Sequence, residues 1–92
     1  MADLGEKVLV QTEVESGAFP GEKLVTLETR SGPVSGFAKA DSIEETGGRY
    51  YLPAVVKAMT HPTLTVLLLT GSFFTTTGLV EVRADQVLKV SR

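Results

Sequence analysis

The chain has 92 residues, no cysteine, 9 Lys or Arg against 11 Asp or Glu, and a formal net charge of -2. A length of this order fits one domain, residues 1–92, with a compact core and no large closed substrate cavity. Without thiols, disulfides, thiolate metal sites and cysteine nucleophiles are excluded; this suits a reducing cytoplasm, and the charge balance gives no general attraction to nucleic acid.

The N-terminal residues lack a basic stretch followed by an apolar one, so no secretory signal is expected. The longest uninterrupted apolar run, Val66 to Leu69, is far short of the roughly 20 residues of a membrane-spanning helix. Twelve Val and eleven Thr favour pleated strands, because β-branched side chains suit strands better than helices.

Strand periodicity begins at Lys7, where Val8, Val10 and Val14 alternate with Leu9, Gln11 and Glu13, Thr12 being the one polar residue on the apolar face. Residues 16–21 break it with two glycines and a proline. Residues 23–29 and 33–39 then read as a hairpin about Arg30-Ser31-Gly32, with Pro33 at a strand start or edge and Gly36 at a bulge or bend. Ala40-Asp41-Ser42 reads as a tight corner, with the Asp41 carboxylate accepting from local backbone N–H groups.

A polar turn at Gly47-Gly48 leads into Arg49-Tyr50-Tyr51-Leu52. Residues 52–60 are open between a short helix, from Leu52, Val55, Val56 and Met59 at helical spacing, and a continued edge strand. Leu64 to Leu69 suits a central strand buried on both faces. Residues 71–78 form a long connection containing Phe73-Phe74, and residues 79–82 and 87–90 finish the chain as strands.

The two ends of this pattern echo each other. Ser31 to Ile43 and Thr77 to Val87 both run from a hydroxyl residue and Gly, through a β-rich segment, to a basic-Ala-Asp-polar-aliphatic corner. The expected fold is mainly β, a small barrel or rolled antiparallel sheet of six or seven short strands. In its order of first strand, long loop, central hairpin and one-turn corner before the last strand, the chain resembles SH3-like small barrels over most of its length. That resemblance implies binding of peptides, RNA or other subunits, with catalysis only occasional.

Reactive groups are sparse. His61 has no second histidine or cysteine to complete a metal set, and it reads as a turn residue. Glu13 with Glu15, and Glu44 with Glu45, read as solvated charge, and Asp41 with Asp85 as corner residues. The 71–78 loop lacks the lysine and following helix of a phosphate cradle. No cofactor or metal is expected.

The aromatic pairs are the remaining signal, because in a strand only one of two adjacent rings faces the core. Arg49, Tyr50, Tyr51, Phe73 and Phe74 are therefore the expected contact residues. The first 46 residues carry four Lys or Arg against nine Asp or Glu, and the last 46 carry five against two, an asymmetry suited to orienting a neighbour. The expectation is a non-catalytic domain acting through protein contacts, as a homo-oligomer or accessory subunit. The alternative is a small-ligand-binding or enzymatic oligomer whose pocket forms between subunits from His61, Tyr50 and the Thr-rich loop.

Overall fold

β-branched residues at alternate positions need a partner strand on each side to satisfy their backbone groups, and the chain supplies these partners from its own two halves. The structure, a computed structural model, describes residues 3–16, 20–69, 72–73 and 78–89, with residues 16, 72 and 73 described by backbone alone. Among these residues lie β1 (Lys7–Ser16), β2 (Glu22–Thr29), β3 (Gly32–Lys39), β4 (Glu44–Thr46), β5 (Arg49–Thr60), β6 (Thr63–Leu68), β7 (Ser72–Phe73), β8 (Leu79–Arg83) and β9 (Val87–Lys89). Two 3-10 turns, Ala40–Ser42 and Ala84–Gln86, interrupt them. The strand order is β7-β3-β2-β1-β5-β6-β8, with β4 added to β5 and β9 to β1. Its six main strands curl into an antiparallel half-barrel. No helix among the described residues is long and apolar enough to cross a membrane.

The repeat seen in the sequence extends to the whole fold. Each half runs through a long strand, two further main strands (with the two-residue β7 inserted between them in the second half), a 3-10 corner and a short final strand, and that final strand pairs with the long strand of the other half. Thus Glu44 of β4 lies opposite Tyr51 of β5, and Leu88 of β9 lies opposite Leu9 of β1. The ladder pair Val14 and Val25 has its counterpart in Val56 and Val66, and Val25 with Gly36 in Val66 with Val80. Even the bond anchoring each corner recurs: the Ala40 N–H donates to Gly21 O at 2.8 Å and the Ala84 N–H to Pro62 O at 2.9 Å. In the central β1/β5 ladder, Leu9 opposite Pro53 maps onto Tyr51 opposite Gln11, and Val10 opposite Leu52 maps onto itself. The internal pseudo-two-fold axis therefore passes through the Val10–Leu52 pair.

Val8, Val10, Val25, Leu27, Leu52, Ala54, Val56, Val66 and Val82 form the centre of the core, all with essentially no exposed surface. Thr12 is buried with them, and its hydroxyl is satisfied by donating to Thr26 O at 2.9 Å. The corners are closed by Ser42 Oγ donating to Lys39 O at 2.7 Å and by the Arg83 N–H donating to Gln86 Oε1 at 2.9 Å. In the second of these bonds Gln86 accepts from a backbone N–H, the part the sequence suggested for Asp41; the carboxylate of Asp41's counterpart, Asp85, instead accepts from Arg83 Nε at 3.1 Å.

The short helix entertained for residues 52–60 does not form, because that segment is part of β5. Leu52 and Val56 are four residues apart, a spacing common to helix and strand, and the buried Ala54 between them decides for the period of two. Met59, which completed the helical pattern, is exposed. Pro53 is tolerated by its place in the ladder. The Val56 N–H donates to Glu6 O, so the even-numbered residues bond toward β1 and Pro53 faces the other way. There the partner changes from β6, which ends with Ala54 opposite Leu68, to β4, which starts with Glu44 opposite Tyr51. Pro53 uses only its carbonyl, which accepts from the Leu69 N–H at 3.0 Å. Gly36 lies in an unshifted β2/β3 ladder; the register shift falls in β5, between Val56 and Ala58.

A clasp ties the β2–β3 turn to β8. The Arg30 N–H donates to Glu81 O at 2.9 Å, and Arg30 Nη1 meets Glu81 Oε2 at 3.3 Å. The Thr63 hydroxyl also donates to Glu81 Oε2. That hydroxyl, seconded by Arg30 and opposed by desolvation, holds the Glu81 carboxyl below its ordinary range.

Three outcomes are expected. Leu52→Ala, on the pseudo-axis, lowers unfolding free energy by about 2–5 kcal/mol in urea titration, the usual cost of a cavity in a core. The Glu81 clasp contributes stability above the unfolded-state pKa of this carboxyl, and that contribution is lost as pH falls through its lowered folded value. The unfolding midpoints of wild type and Glu81→Gln thus differ at neutral pH and converge in acid; parallel curves would deny the clasp that role. A circular permutant opened between Gly47 and Gly48, with a flexible linker joining the present ends, keeps a β-type circular dichroism spectrum and one cooperative transition. The reason is that β9 already lies antiparallel beside β1.

Candidate functional site

The residues of β5 that do not enter the core point to the other side of the sheet, and their ladder partners define its outer face. One row there reads Leu88, Leu9, Pro53 and Leu69 across β9, β1, β5 and the end of β6. The next reads Lys7, Val55, Leu67 and Leu79 across β1, β5, β6 and β8. Leu69, Leu79 and Leu88 are 47%, 41% and 39% exposed, while Val55, Pro53 and Leu67 are half-buried. Leu9 and Tyr51 are covered to within 8% of full burial although they lie on this side. Leu88, Pro53 and Gln11 surround them in the ladders. The result is a continuous apolar band on a face against which no other described element packs.

This corrects the expectation for residues 64–69. Leu64 and Val66 are buried, but Leu67 is only half-buried and Leu69 is exposed. The half-barrel has a single sheet layer, so the inner face of β6 is packed and its outer face is not.

The expected contact residues are placed unequally. Arg49 is exposed at the start of β5, Tyr50 is 38% exposed and Tyr51 is 8% exposed, the split that alternation requires of adjacent rings. The Phe73 backbone pairs with Gly36 at the β3 edge, and Phe74 lies outside the described residues. In the strand order β3, β2 and β1 separate β7 from β5, so Phe73 is not a ladder neighbour of the Arg49-Tyr50-Tyr51 cluster. The leucines of the outer band were missed as contact residues. Their signal was present as apolar residues at both parities in 64–69, which sequence reasoning assigned to a doubly buried strand.

Beside the band runs an open groove of about 620 Å³, between Lys7, Leu9 and Pro53 on one side and residues 41–45 on the other. Its acidic wall is Asp41, Glu44 and Glu45, all exposed. No group of three or more His, Asp or Glu among the described residues is arranged to hold a metal ion. His61 is exposed in the β5–β6 turn, and Tyr50 lies at the opposite end of β5. Ten residues of strand, roughly 33 Å, separate them within one protomer. Comparison with protein-family models, characterised proteins and solved structures finds no match, so function is argued from the residues and their geometry.

Proposed function

We propose that this chain is a non-catalytic β domain that works through protein contacts, as a homo-oligomer or as an accessory subunit, and that its outer sheet face is the contact surface. The observation that carries this reading is the exposed apolar band from Leu88 to Leu79. Exposed apolar residues scattered singly need no explanation, whereas a contiguous patch flanked by charge is the signature of an interaction surface. Arg49 extends the surface at its acidic end, whereas Tyr50, of opposite parity to Tyr51, falls on the other side of the sheet. A rolled sheet of SH3-like order suits subunit binding, and a cysteine-free chain suits a reducing compartment such as the cytoplasm.

The expected test outcome is specific. In the combined variant Leu69→Ser, Leu79→Ser, Leu88→Ser, the fold persists, with stability changed by no more than about 0.5 kcal/mol per exposed site. Light scattering and chemical cross-linking of this variant show lost association, since truncating central contact residues typically costs more than about 1 kcal/mol each. A folded triple variant with the wild-type mass and the wild-type set of cross-links would remove the outer face from consideration.

A further inference from the structure

The outer face is graded in charge along its strands. At one end stand Glu13 and Glu15 of β1 and Glu44 of β4, all exposed. Arg49 lies among them and reduces their charge without reversing it. Gln11 and Tyr51 come next, then the row of Leu88, Leu9, Pro53 and Leu69. Beyond it Lys7 stands opposite Val55, with Lys57 the next exposed residue along β5. Glu81, on the β8 side of that end, is already engaged by Arg30 and Thr63. The order is therefore acidic, apolar, basic, read along one strand direction.

Resting on the protein-contact reading above, we propose that the occupant of this face is a second copy of the same chain, docked about a two-fold axis that lies in the face and crosses the strands near the Leu9–Pro53 row. Such an axis turns the second copy end for end. The apolar rows then stack on their own counterparts, as in two packed sheets. The basic end of each copy then lies over the acidic end of the other, twice by symmetry: Lys7, two residues from the row, comes over Gln11 beside Glu13, and Lys57, four residues from it, comes over Arg49 and the carboxylates around it. An isologous contact needs a surface complementary to itself, and a face that is apolar in its centre and opposite in charge at its two ends meets that condition. The same face meets an unrelated partner with no such built-in match. Charge complementarity of this kind sets register and suppresses the alternative axis along the strands, which would bring acid onto acid.

Sedimentation equilibrium of the full chain at low salt, up to about 1 mM, tests the proposal. Wild type is dimeric, and its dissociation constant rises with added salt. Lys7→Glu with Lys57→Glu, and separately Glu13→Lys with Glu44→Lys, each weaken self-association by about tenfold or more. An equimolar mixture of the two variants recovers a dimer of near wild-type strength, because the reversed charges attract only across copies. That recovery cannot come from repair of either fold, and circular dichroism of each variant alone confirms that both are folded. Leu69→Glu with Leu88→Glu abolishes association in any mixture. A wild type that stays monomeric throughout this range overturns the docking of a second copy, as does a mixture that fails to recover. The broader reading fails separately, if the triple serine variant keeps all wild-type cross-links to other proteins.

Discussion

Val10 and Leu52 face each other across the central ladder with no surface left to solvent, and the arrangement of every other strand follows from that pairing. Antiparallel strands related by a two-fold through one residue pair present equivalent outer edges, and each edge here is filled in the same way. Along β1 the outer partners are β9 and then β2; along β5 they are β4 and then β6. Because each half ends by pairing with the other half's first strand, neither half completes its own ladders alone. The unequal charges of the halves are consequently not segregated onto separate bodies. They are laced together, and the segregation that remains is along the strands of the outer face.

A small chain folded this way meets a geometric limit. Its apolar residues fill the concave side of one curled sheet, and the described residues supply no helix or second layer for the convex side. Leu9 and Tyr51 find cover among their sheet neighbours, but the leucines at the margins do not. An exposed apolar face is thus a consequence of building a core from one layer at this length. The groove beside it is open and acidic, and the single histidine stands at the far end of β5 from the tyrosines. Among the described residues, His61 and the tyrosines therefore do not converge within one chain.

Much of the architecture was legible in the residues. Alternation marked β1, β2 and β3, the Arg30-Ser31-Gly32 turn marked the hairpin, and the matched Ala-Asp corners became two 3-10 turns with the same backbone course. The tyrosine pair split into one buried and one exposed ring as strand parity demands. What misled was spacing compatible with two periods, at Leu52, Val55, Val56 and Met59. The apolar run ending at Leu69 misled similarly, because apolar residues at both parities imply two covered faces only if something lies on each. The aspartates at the corners drew attention that belonged to Ser42 and Gln86.

The sequence alone determined the class of structure, the turns, the corners and the fact of a repeat, since these rest on interactions within about ten residues of chain. Tertiary structure decided that the repeat is a two-fold with exchanged final strands, that Pro53 falls where one partner strand hands over to another, and that the leucines of four strands meet on one uncovered face. Those outcomes depend on pairings between residues more than forty positions apart, such as Leu9 with Pro53 and Val10 with Leu52. No local pattern encodes such a pairing; it is selected by the register that buries the valines of both halves at once.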